Sequence, residues 1–128
     1  MRLVLAPDHE APGAARSFVS GQLDDTALPP GVVLADVILT ASELVTNAVR
    51  AGAGHLELML AVNHRQLDLM VEDDAQGWPV LQSANADAAG GRGLGIVEQV
   101  SDKWHVTRTK SGKRVTATWL APGALAPQ

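Results

Sequence analysis

The sequence predicts an α/β (α+β) two-layer sandwich, a mixed, mostly antiparallel sheet with helices on one face. Three observations predict it. One long segment carries apolar residues at three- and four-residue intervals, and two pairs of alternating segments are separated by linkers of hairpin length. The order along the chain is strand, helix, helix, strand, strand, loop, short helix, strand, strand.

Arg2 to Ala6 reads as an opening strand stopped by Pro7. Glu10 to Leu23 places Ala11, Ala14, Ala15, Phe18, Val19 and Leu23 along one helical face, with Asp8 as the candidate cap. The paired prolines of Asp24 to Gly31 mark a connector. From Val32 to Arg50 an apolar stripe of Leu34, Val37, Ile38, Ala41, Leu44, Val45, Ala48 and Val49 recurs at helical period, while Asp36, Thr40, Glu43, Asn47 and Arg50 line another face. This span predicts a helix about 30 Å long, ended by Gly52 or Gly54.

Leu56, Leu58, Leu60 and Val62 alternate within His55 to Asn63, and Leu67, Leu69 and Val71 resume the pattern after a turn around His64 to Gln66. So short a linker excludes a parallel crossover and predicts two adjacent antiparallel strands. Asp74 to Arg92 has few large apolar residues and no sustained period, which predicts a long loop or lid. Gly93 to Val100 reads as a short helix with Leu94, Ile96, Val97 and Val100 largely buried. Trp104 to Thr109 and Lys113 to Leu120 form a last hairpin around Ser111 and Gly112. One domain is expected over residues 1–121, followed by a flexible tail over 122–128.

Composition narrows the function classes. The chain has 128 residues, 46% of them hydrophobic and 19% charged, which suits a folded domain rather than a disordered segment. It has no cysteine, which excludes disulfides and cysteine metal sites. A net charge of −4, with basic residues scattered apart from Lys103, Arg108, Lys110, Lys113 and Arg114, argues against direct binding of nucleic acid. The apolar run before Pro7 is too short for a signal peptide or a membrane span. A soluble, cytoplasmic protein is therefore expected, with neither nucleic acid nor membrane as partner.

Three groups of residues could carry chemistry. Glu43 and Asn47 lie four apart on the polar side of the long helix and so project side by side. A carboxylate can orient or deprotonate a hydroxyl and an amide oxygen can bind Mg²⁺, although most such pairs are simply solvated. Asp73 is in phase with Leu67, Leu69 and Val71, which points it to the apolar side, where a carboxylate needs a partner such as an adenine amino group. Capping the following turn is the equal alternative. The run Gly90 to Gly95 precedes a helix, so its bare amides suit phosphate oxygens or, equally, a hinge.

Taken in order, SELVTNAV (Ser42 to Val49), VEDDAQG (Val71 to Gly77) and GRGLG (Gly91 to Gly95) resemble the N, G1 and G2 boxes of the Bergerat-fold (histidine-kinase-like, GHKL) ATPase superfamily. SELVTNAV, the opening APGAAR, and the endings VSDKWHV and GKRVTATWL resemble its small bacterial anti-sigma factor and serine-kinase regulators, so the likeness runs through nearly the whole chain. The resemblance implies ATP and Mg²⁺ as cofactors, Glu43 as general base, Asn47 as the Mg²⁺ ligand and Asp73 as the acceptor for the adenine amino group. It implies that Gly77 passes close to the base and that Gly91, Gly93, Leu94 and Gly95 form the phosphate-contacting lid end and helix start, where Arg92 either adds a contact to a phosphate or faces solvent. An anti-sigma-factor antagonist protein, phosphorylated on serine, and a sigma factor are the implied partners, with a homodimer as in many members. The alternative is a catalytically silent or weakly nucleotide-binding module that sequesters either partner. ATP hydrolysis coupled to dimer opening is a third role, but the transducer domain it needs is not recognisable.

Three departures stand out. Ala75 replaces the first glycine of Asp-x-Gly-x-Gly, Ala51 and Gly52 replace His-Gly or His-Ala after the N box, and Arg114 stands where the last box has a threonine. Thr116, two residues on and on the same strand face as Arg114, is the candidate replacement hydroxyl.

Overall fold

The alternating segments pair as their short linkers require. In the computed structural model, which describes residues 1–24, 26–75 and 92–123, and the backbone alone at 92 and 93, the elements are β1 (Arg2–Leu5), α1 (Ala11–Gln22), α2 (Leu34–Arg50), β2 (Leu56–Val62), β3 (Gln66–Asp73), α3 (Arg92–Val100), β4 (Lys103–Arg108) and β5 (Lys113–Leu120). The five strands form one sheet in the order β1-β2-β3-β5-β4. The β1–β2, β2–β3, β3–β5 and β4–β5 pairings are all antiparallel, so the mostly antiparallel sheet expected from the sequence is antiparallel throughout the described residues.

Period-two alternation gives the sheet two unlike faces. Leu5, Leu56, Leu58, Leu60, Leu67, Leu69, Val71, Val115, Ala117 and Trp119 are buried towards the helices. The opposite face is polar and carries an Arg2–Glu57 ion pair, an Arg114–Glu72 pair at 2.8 Å and a hydrogen bond from Thr118 Oγ1 to Asp68 at 2.6 Å. The helices form the second layer, with both α1 and α3 packed on α2. Each fully buried leucine or valine contributes roughly 1.5–3 kcal/mol relative to exposure. Among the described residues no helix is long and apolar enough to cross a membrane.

Helix α2 buries Val37, Ala41, Leu44, Val45 and Ala48 of its predicted stripe, leaves Leu34, Ile38 and Val49 half-buried, and also buries Thr40, which the sequence period assigned to the other face. Thr40, fully buried, donates its hydroxyl to the Asp36 carbonyl at 2.8 Å, which removes the desolvation cost of that polar group. The helix closes with Gly52 at φ 86°, Gly52 N–H on Val49 O at 3.0 Å and Ala53 N–H on Ala48 O at 3.1 Å. Those two bonds make a Schellman turn, which satisfies orphan carbonyls and reverses the chain into β2. The expected starts shift by a residue or two: α1 begins at Ala11 and α2 at Leu34. Asp8 is not the cap of α1, since the N-cap is Glu10 without a side-chain bond and Asp8 Oδ1 accepts Glu10 N–H at 2.9 Å ahead of the helix.

At the other end of the helical layer, α3 is fixed to β5. Trp119 Nε1 donates to the Val100 carbonyl at 2.8 Å, and Asp102 Oδ2 accepts Leu120 N–H at 2.6 Å. Trp119 is buried and Trp104 half-buried. The predicted loop falls outside the described residues from 76 to 91, and the predicted tail from 124 to 128.

Candidate functional site

The end of β3 and the start of β5 bring two opposite charges together inside the protein. Asp73 continues the core-facing phase of Leu67, Leu69 and Val71, and its register partner Lys113 continues that of Val115, Ala117 and Trp119. Both are buried, at 4% and 7% exposure, and Lys113 Nζ donates to Asp73 Oδ1 at 2.8 Å. The same oxygen accepts Ala75 N–H at 2.9 Å, and the Ala75 carbonyl lies 3.4 Å from Lys113 Nζ. Asp73 therefore closes the turn after β3, one of the two roles left open by its sequence position, and the partner its buried carboxylate has among the described residues is Lys113.

The turn between β4 and β5 presses on this point. A Cβ at Gly112 would stand 1.9 Å from the Asp73 carbonyl oxygen and 2.6 Å from Asp74 Cα, both backbone atoms. Glycine is the residue that permits this approach. Thr109 N–H donates to the Gly112 carbonyl and Thr109 Oγ1 accepts Gly112 N–H, each at 3.0 Å, so the turn is closed from both sides.

The neighbouring Asp74 ties the exit of α2 to the same strand end. Its Oδ1 accepts Gly54 N–H at 2.7 Å and His55 N–H at 2.9 Å. These bonds to the charged form, from His55 first and then Gly54, hold the Asp74 carboxyl below its ordinary range. On the outer face, the Arg2 guanidinium does the same for Glu57, helped by His55. The Schellman turn and the Asp74 bonds thus anchor the C-terminal end of α2, where Asn47 lies one turn from the helix stop, to the end of β3. Glu43 and Asn47 are half-buried on α2, four residues apart, flanking the buried Leu44, Val45 and Ala48. Ser42, beside Glu43, accepts a hydrogen bond from Arg16 Nη1 at 2.9 Å, which joins α1 to this part of the helix.

The remaining sequence candidates divide. Leu94 is buried at 2% exposure near the start of α3 and Gly95 is half-buried on the same helix. Thr116 does not join the group. It pairs with Met70 on the polar face of the sheet, as Arg114 pairs with Glu72 there, so it faces away from Asp73. Lys113, one residue before Arg114, is the β5 side chain that reaches the carboxylate. Gly77, Gly90 and Gly91, and the side-chain surroundings of Arg92 and Gly93, lie outside the described residues.

Sequence reasoning missed Lys113 and Gly112 as site residues. The available signal was phase: an odd-numbered lysine in register with Val115, Ala117 and Trp119 sits on the core face. For Gly112 the turn role was legible, but the approach of two backbones depends on the pairing of β3 with β5, which no local pattern contains.

The sequence matches the family described as histidine kinase-like ATPase domain over residues 5–119. No curated relative matches it. Among solved structures the chain is similar to the RsbU and RsbW domains of Rv1364c from Mycobacterium tuberculosis, with a TM-score of 0.66 and 18% identity over 94% of this chain. It spans 31% of that chain, and at this identity the likeness is one of fold. The architecture of five antiparallel strands under three helices among the described residues is the one expected of the Bergerat fold, and with its boxes inside a match that runs from Leu5 to Trp119, the chain belongs to the histidine kinase-like ATPase domain family.

Proposed function

We propose that this domain binds ATP with Mg²⁺ and acts as an anti-sigma factor with serine kinase activity towards an anti-sigma-factor antagonist. The observation that carries the reading is the buried Asp73 carboxylate at the end of β3, anchored through Asp74 and Gly54 to the helix that bears Glu43 and Asn47. The donor set fits a nucleotide. A buried acceptor suits an exocyclic amino group, and an amide and a carboxylate one helical turn apart suit a metal ion and a hydroxyl. Asn47 is the residue that would hold Mg²⁺, which when bound neutralises charge on the phosphates. Glu43 orients the serine hydroxyl of the docked partner and takes its proton as the serine oxygen bonds to the γ-phosphorus and the bond to the bridging oxygen breaks, leaving ADP. Gly95 and the buried Leu94 set the start of α3, whose amides favour anionic oxygens. Cytoplasmic location, transcription control through a sigma factor and pairing with a like subunit belong to the same proposal.

A second reading is favoured by Lys113, which already neutralises the Asp73 carboxylate. In that reading the domain holds a sigma factor or antagonist without phosphate transfer. Calorimetric titration with ATP, with and without Mg²⁺, on the wild type and Asn47→Ala separates the two. Magnesium-dependent binding lost in the variant supports the kinase reading. A folded wild type that gives no heat at millimolar ATP sinks it in favour of the binding module.

A further inference from the structure

A lysine as deeply buried as Lys113 is unusual, because its ammonium must give up water. Its ion pair with Asp73 offsets that cost but does not explain why the pair is present, since apolar residues of similar volume stabilise such a position as well or better. The pair has another property. Asp73 as a carboxylate only accepts hydrogen bonds, and Lys113 only donates them. Their polar atoms lie 2.8 Å apart at one strand end, so together they form an acceptor beside a donor.

We propose that Lys113 is a second base-reading residue, which donates to the ring nitrogen N1 of the nucleotide while Asp73 accepts from its 6-amino group. The proposal rests on the nucleotide reading of Asp73 given above. Adenine presents the matching pattern on one edge, an N6–H donor next to the N1 acceptor. Asp73 has the acceptor capacity for this, since a carboxylate offers about four lone-pair sites and Oδ1 alone takes both of its bonds among the described residues. Lys113 has three N–H groups, with Asp73 at 2.8 Å and the Ala75 carbonyl at a long 3.4 Å. Two residues rather than one then set base choice. In the same pose guanine sets its O6 against the carboxylate and its N1–H against the ammonium, so neither contact forms. Lys113 therefore narrows the bases this site admits.

The test compares ATP with 1-deaza-ATP, which has a C–H in place of N1, by calorimetry on the wild type, Lys113→Met and Lys113→Gln. A bond from a charged donor predicts that the wild type binds 1-deaza-ATP at least about tenfold more weakly than ATP. Lys113→Met should bind the two alike and show a smaller preference for ATP over GTP than the wild type does, while Lys113→Gln, which keeps an N–H donor, should retain part of the discrimination. A structural role for Lys113 would lower stability without changing these ratios. Should Lys113→Met fail to fold, the wild-type comparison and Lys113→Gln decide. Tight ATP binding with equal affinity for 1-deaza-ATP overturns this assignment alone; a folded wild type that binds neither nucleotide overturns the nucleotide reading and this assignment with it.

Discussion

Asp74 Oδ1 accepts the backbone N–H of Gly54 at 2.7 Å across twenty residues of chain. Because the bonds form to the ionised carboxyl, its folded pKa lies below the unfolded value. The stability they supply is complete above the ordinary carboxylate pKa of about 3.9 and is lost as pH falls through the lower folded value. Asp74→Asn should therefore be less stable than the wild type at neutral pH and should show a shallower loss of stability in acid. Urea unfolding at several pH values reads both, and parallel acid limbs in the two proteins would refute the linkage.

Gly112→Ala forces a methyl group onto the backbone of Asp73 and Asp74. Overpacking of this kind costs about 1–3 kcal/mol, and more where only backbone can give way. Gly21, on α1 with nothing within 4 Å of a built Cβ, is the control. Gly21→Ala should stabilise the domain by roughly 0.5–1 kcal/mol through helix propensity. Chemical denaturation that shows both substitutions to be equal would contradict the close approach.

Removing either partner of the buried pair leaves an uncompensated charge. Asp73→Leu should cost about 3–5 kcal/mol, and the double variant with Lys113→Met should recover most of that loss. The coupling term of a double-mutant cycle measures it, and additive losses would mean that the pair is not buried as described.

Glu43→Gln keeps the shape of the side chain and removes its basicity. Nucleotide binding should persist while serine phosphorylation falls by about 10²–10⁴-fold. Equal transfer rates in variant and wild type, measured with a radiolabelled γ-phosphate, would remove Glu43 from the mechanism.

Arg114, which stands where the last box has a threonine, pairs with Glu72 on the polar face at partial exposure. Arg114→Ala should change stability by no more than about 0.2–1 kcal/mol and leave ATP affinity unchanged. A loss of affinity would place this residue in the site after all.

Most of the fold was legible because its elements are strongly periodic. Helix α2 matches its predicted stripe apart from the buried Thr40, and the two hairpins follow from linkers too short for a crossover. Asp73 was legible too, since the alternation of Leu67, Leu69 and Val71 points it inward. Lys113 and Thr116 were harder. A lysine at the start of a strand reads as solvated and a threonine reads as a hydroxyl donor, so residue type pulled attention to Thr116. The pairing of β3 with β5 decides the matter, because Asp73 lies opposite Lys113 and Thr116 lies opposite Met70. That pairing joins residues about forty apart in sequence, and nothing local encodes it.

The alternation of β5 separates address from content. Val115, Ala117 and Trp119 anchor the strand in the core and so determine which position meets the Asp73 carboxylate, whatever side chain stands there. Position 113 is thus a socket held by its neighbours. Its occupant can change the chemistry beside Asp73 without re-specifying the strand, while a one-residue deletion in the turn before it would bring Arg114 to the same place and turn the three anchors out to water.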